Sequence, residues 1–167
     1  GGSLRPGCSE QTAAVTAASS AGEKEYLCHA TGQQPNVDGD LGDPCWAQAE
    51  ASPGFFPIGP YAAAEPFRMQ VRFLCDGENL YVALDAVSRP GGVPRAQEVR
   101  LRDGPVFGDD SVELFLRTTP TATAMYQLVL NCDNAIYDSH DVPDAATVDN
   151  PGPKWNPEWQ HATKKRS

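Results

Sequence analysis

The stretch Phe107 to Arg117, FGDDSVELFLR, constrains this chain most, because side-chain character alternates strictly along a β-branched and aromatic run. A period of two sends Val112, Leu114 and Leu116 to one side of an extended strand and Glu113, Phe115 and Arg117 to the other. One side is apolar. The other carries a carboxylate in mid-strand, with Asp109 and Asp110 in the turn that feeds it. Such a side suits a hydroxyl group or a hard cation. It is equally the wet face of a half-exposed antiparallel strand, which routinely carries charge.

Other segments repeat the pattern. Phe67 to Cys75 places Phe67, Met69, Val71, Phe73 and Cys75 on one face, and Asp76, Gly77, Glu78 and Asn79 turn it back into Leu80 to Val87, a predicted β-hairpin. Met125 to Asn131 sets Gln127, Val129 and Asn131 opposite Tyr126, Leu128 and Leu130, and a turn at Cys132 leads into Ile136 to His140. Glu25 to Ala30 is the predicted first strand. Short strands joined by turns, with one short helix near 44–49, predict an all-β fold, an antiparallel β-sandwich of jelly-roll type. Residues 1–25, rich in Ala, Ser, Thr and Gly, are expected as a flexible tail or a loosely packed helix, and 26–167 as the sandwich domain. The long loop from Ser88 to Gly108, basic in its middle, is expected to be functional or mobile.

A net charge of −9, with basic residues scattered apart from Lys164, Lys165 and Arg166, argues against nucleic acid as a partner. An acidic surface suits a neutral ligand or a cation. No apolar run is long enough to cross a bilayer, and the Gly1, Gly2, Ser3 start lacks the architecture of an export signal, which is expected to have been removed or not included. The five cysteines, Cys8, Cys28, Cys45, Cys75 and Cys132, contain no C-x-x-C pair, which argues against a zinc cluster or a thioredoxin-like centre. Disulfides or buried thiols remain, and at least one bridge is expected from an extracellular setting, with its partners left open. His29 has no second histidine at ligand spacing and reads as an edge or core residue.

Asn36 to Trp46 is the second informative stretch. Asp38 and Gly39 form a tight turn, and Asp43 before Pro44 is a helix start with Trp46 packing inward. Turn and cap duty explains Asp38 and Asp43; the alternative is that Asp38, Asp40 and Asp43 converge on a structural Ca2+.

Taken together, Tyr26, Val37-Asp38-Gly39, Trp46, Val71 to Asp76 with Asn79 to Val82, Asp109 to Leu116, Tyr126-Gln127 with Asn131, and Trp155 to Trp159 follow in an order that resembles the family 9 carbohydrate-binding modules and their bacterial relatives. The resemblance runs from about Tyr26 to Thr163. It implies a β-sandwich of secreted or cell-surface glycan-active proteins, holding a sugar between two aromatic rings, with structural calcium. The family's first stacking ring, a tryptophan, falls on Phe107, and its hydroxyl-binding glutamate on Glu113. Its binding arginine falls on Val129, which removes the strongest polar clamp. The strands that bring the second ring in relatives have no counterpart, so the domain is expected to be C-terminally incomplete, with Trp155 and Trp159 as candidate platforms.

The leading expectation is therefore a non-catalytic sugar-binding module, extracellular or at the cell surface and part of a larger multidomain protein. In it Phe107, with Trp155 or Trp159, stacks on a pyranose while Glu113, Gln127 and Asn131 bond its hydroxyls. Its partner would be an oligo- or polysaccharide. The alternative is a structural or docking sandwich that binds no sugar. An enzyme is not expected: Asp110 and Glu113, three apart on a strand, project to opposite faces and cannot share a substrate as a glycosidase pair. No G-x-S-x-G elbow or phosphate loop is present either.

Overall fold

The computed structural model describes residues 13–19, 22–52, 55, 69–87, 92–97, 101–141 and 155–166. Among these, the chain is all-β. Its strands are β1 (Ala13–Ser19), β2 (Gly22–Ala30), β3 (Met69–Cys75), β4 (Leu80–Ala86), β5 (Ser111–Leu116), β6 (Met125–Asn131) and β7 (Ile136–Asp141), with short 3-10 helices at Pro44–Gln48 and Val106–Gly108. The strands form two sheets, ordered β1-β2-β3-β4 and β5-β6-β7. The backbone divides into two compact units, Gly1–Asn36 with Leu41–Gly92, and Val37–Asp40 with Val93–Ser167.

In the first unit the alternation of β3 is realised on both faces. Val71 and Phe73 are buried beside Cys28, with Phe55, Cys75, Val82 and Leu84 packed around them. On the opposite face Leu74 and Ala83 are covered by the Pro44–Gln48 helix, which contributes Cys45 and Trp46 and is followed by Ala49. Leu74 is wholly buried, which is worth about 1.5–3 kcal/mol relative to exposure. The β3–β4 hairpin closes as expected through Gly77, at φ 90°, a conformation that glycine adopts without steric cost. Asp76 organises that turn, accepting the Tyr81 hydroxyl at 2.6 Å and the backbone N–H groups of Asn79 and Glu78 at 2.8 and 3.0 Å. These bonds, the Tyr81 hydroxyl foremost, hold its carboxyl well below the usual carboxylate range.

Three expectations change here. Residues 13–19, expected as a tail or a loose helix, form β1, paired with β2 along its whole length from Ala13↔Cys28 to Ser19↔Gly22. Extended backbone can satisfy its N–H and C=O groups through a partner strand without a large apolar side chain, so composition alone misses it. Next, β2 meets β3 in parallel, through His29↔Leu74 and Ala30↔Cys75, so this sheet is mixed rather than purely antiparallel. Finally, Asp43 does not cap the helix with its side chain; its carboxylate accepts the N–H of Asn36 at 2.9 Å and the Asn36 amide at 3.1 Å.

The second unit is a three-stranded antiparallel sheet. Its β5–β6 register runs from Ser111↔Asn131 to Leu116↔Tyr126, and its β6–β7 register from Met125↔Asp141 to Leu130↔Ile136. A turn over Thr118 to Ala124 lies between β5 and β6. Val106, Val129 and Ala135 form a small core under Tyr137. Residues 155–166 run without strand pairing and are tied down by side chains. Arg102 lies 3.4 Å from the buried Asp138 carboxylate and also donates to the Pro157 carbonyl, while Lys164 and Lys165 pair with Asp40 and Asp133. Asp38 makes the expected turn with Gly39, its carboxylate accepting the N–H of Asp40 at 2.8 Å. A side chain at Gly39 would strike the Thr163 backbone at 2.7 Å, which is why glycine stands there.

Candidate functional site on the β5–β6–β7 sheet

Register decides which predicted site residues meet. Cross-strand partners share a face, so Glu113, Val129 and Tyr137 form one row and Phe115, Gln127 and Ser139 the next. On this face Ser139 donates its hydroxyl to Gln127 Oε1 at 3.1 Å, and Gln127 Nε2 donates to Glu113 Oε2 at 2.9 Å. The chain of bonds orients both the amide and the carboxylate, and leaves Glu113 acceptor capacity for a further donor. Phe107, brought over the same face by the Val106–Gly108 helix, packs edge-on against Tyr137 with ring centroids 4.9 Å apart. Phe107 is 47% exposed and Phe115 50% exposed, so both rings keep open surface. Phe107, Glu113 and Gln127 are therefore on one side of one sheet, with Tyr137, Ser139 and Phe115 beside them.

Asn131 is different. It is almost fully buried, donates its amide to Asp109 Oδ2 at 2.9 Å, and accepts the N–H groups of Ala135 and Asp133 at 2.8 and 3.0 Å. Its side chain is spent on the turn between β6 and β7. Asp109 in turn accepts the N–H of Gln97, and Asp110 the N–H of Arg95. The acidic pair ahead of β5 thus docks the 92–97 loop.

Trp155 and Trp159 sit on the opposite face. Tyr126 and His140 are cross-strand partners on the side of Leu116 and Leu128, where their rings stack at 4.3 Å with Trp155 5.1 Å from Tyr126. Trp159 donates its indole N–H to Asp138 Oδ2 at 3.3 Å, and its ring lies 4.9 Å from His161. Burial raises the Asp138 carboxyl above its ordinary range, opposed by the Trp159 and Arg102 donors. Burial also lowers His161, helped by Arg102. The pair of tryptophans plugs this side of the sheet and anchors 155–166.

Val129 is wholly buried on the Glu113 side of the sheet, in the small core under Tyr137. Among the described residues no group of three or more His, Cys, Asp or Glu side chains is placed to hold a metal ion. Asp38, Asp40 and Asp43 bond to the Asp40 N–H, Lys164 and Asn36 respectively. Cys28, Cys45, Cys75 and Cys132 are free thiols, and Cys8 lies outside the described residues, so no bridge is present among those described. No helix among them is long and apolar enough to cross a membrane.

Tyr137 and Ser139 were not singled out from the sequence. The period of two in Ile136 to His140 puts them on one side, but only the pairing with β6 joins that side to Glu113. No family model matches this chain, and no curated protein or solved structure does.

Asn131→Ala is predicted to destabilise the protein by about 3 kcal/mol, because it removes the acceptor of two N–H groups and a donor to Asp109. Urea unfolding measures this; a loss below about 0.5 kcal/mol would contradict the structural role.

Proposed function

We propose that the chain is a non-catalytic carbohydrate-binding module of family 9 type with a fold of the β-sandwich class. The observation that carries the reading is the placing of Phe107 on the face where Ser139, Gln127 and Glu113 are hydrogen-bonded in line. An exposed ring offers area to the apolar side of a pyranose, and an oriented carboxylate and amide select its hydroxyls. The module would serve outside the cell, as an accessory part of a larger protein acting on oligo- or polysaccharide.

The reading assigns the site to Phe107, Glu113 and Gln127, with Tyr137 and Ser139 added, and moves Asn131, Trp155 and Trp159 to structural duty. A structural Ca2+, implied by the same resemblance, would have to draw Asp40 from Lys164 and Asp43 from Asn36. The runner-up is a docking or spacer domain without sugar binding, favoured by the buried valine at the arginine position. Catalysis is not part of either reading, since the Asp110 carboxylate is engaged by the Arg95 N–H rather than facing Glu113 across a substrate.

A glycan array of free and reducing-end-blocked oligosaccharides, followed by calorimetry on the best binder, tests this. Phe107→Ala and Glu113→Gln should each weaken binding about tenfold or more, equivalent to about 1.4 kcal/mol. Trp155→Ala should lower stability and leave the affinity of the folded protein unchanged. Loss of binding in Trp155→Ala alone, or a flat array, would overturn the proposal.

A further inference from the structure

We propose that the sugar taken by the Glu113 face carries an ammonium group, so that the ligand is a glycan of amino sugars rather than a neutral one. This rests on the sugar-binding reading and names its class of sugar. The hydrogen-bonding capacity of the face carries the argument. Ser139 spends its hydroxyl proton on Gln127 Oε1, and Gln127 spends an amide proton on Glu113 Oε2. What remains on these side chains is largely acceptor: most of the lone pairs of the Glu113 carboxylate, against a second Gln127 N–H and the Tyr137 hydroxyl as donors. Val129, between Glu113 and Tyr137 in their row, is buried and adds no donor. A sugar hydroxyl asks for donors as well as acceptors. An ammonium only donates, and it matches this face better.

Charge points the same way. Glu113 is exposed and, among the described residues, its carboxylate has no cationic partner, whereas Asp138, Asp40 and Asp133 hold Arg102, Lys164 and Lys165. Arg117, on the same side by alternation, stands past the end of β5, about 13 Å along an extended chain from Glu113. The net charge of −9 adds a long-range attraction for a cation. Phe115 follows Glu113 on this face at about 7 Å along the strand, and the Phe107–Tyr137 pair lies at the other end of the Glu113 row. Ring faces attract an ammonium, so the site offers a carboxylate with aromatic neighbours rather than a carboxylate alone. An exposed ion pair with one such ring contact is worth about tenfold in affinity.

The test is calorimetry of the full chain with β-linked tetramers of glucosamine, N-acetylglucosamine and glucose, which differ only in the substituent at the second carbon. At about pH 6 and low salt the glucosamine tetramer should bind about tenfold more tightly than either neutral one. That advantage should shrink as salt is added, and disappear by about pH 9, where the sugar amine has lost its proton. Glu113→Gln should bring the three ligands to similar affinity. Glu78→Gln, which removes the same charge from the exposed β3–β4 turn, should leave the advantage intact. Equal or weaker binding of the glucosamine tetramer, an advantage that survives Glu113→Gln or the rise in pH, or one that Glu78→Gln abolishes equally, would overturn this inference and leave the sugar-binding reading standing. Binding of none of the three tetramers together with a flat glycan array would overturn both.

Discussion

The candidate face depends on one buried amide. Asn131 ends β6, bonds two N–H groups of the turn that follows, and reaches back to Asp109 beside the short helix that carries Phe107. It therefore holds the β6–β7 register and the position of the exposed ring through a single side chain. A slip of one residue in that register would send Tyr137 and Ser139 to the far side and bring Asp138 and His140 to the wet one. Each bond is worth only about 0.5–1.5 kcal/mol net, but leaving the buried Ala135 N–H unpaired costs more, and that asymmetry favours one register.

The two sides of the sheet then do different work. One side is tied to the C-terminal segment: the Asp138 carboxylate holds Arg102 and Trp159, and Trp155 covers the Tyr126–His140 stack. The other carries the Phe107–Tyr137 edge contact and the line from Ser139 through Gln127 to Glu113. Aromatic rings occur on both, so ring content alone does not separate platform from plug. Commitment does: Trp159 spends its N–H on a buried carboxylate, whereas Phe107 has no polar handle and keeps nearly half its surface open.

Much of this was legible in the sequence where local alternation decided the outcome. The β3–β4 hairpin, the β5 and β6 strands, the Asp38-Gly39 turn and the inward Trp46 all follow from period-two patterns and turn residues. What was not legible was pairing over distance. Asn131 looks like a ligand-binding residue on the same side as Gln127, and only the turn it closes reveals its duty. Trp155 and Trp159 sit in a proline-rich run with no periodicity, so nothing local told which side they would meet. The parallel contact of β2 with β3 likewise depends on a partner remote in sequence, whereas β1 pairs with the adjacent β2 and was hidden only by its lack of large apolar residues.

The most direct test follows backbone and side-chain resonances of the protein while a bound oligosaccharide is titrated in. The account predicts shifts concentrated at Phe107, Glu113, Phe115, Gln127, Tyr137 and Ser139, with Tyr126, His140 and Trp155 unmoved. Shifts concentrated at the tryptophan side of the sheet would contradict it.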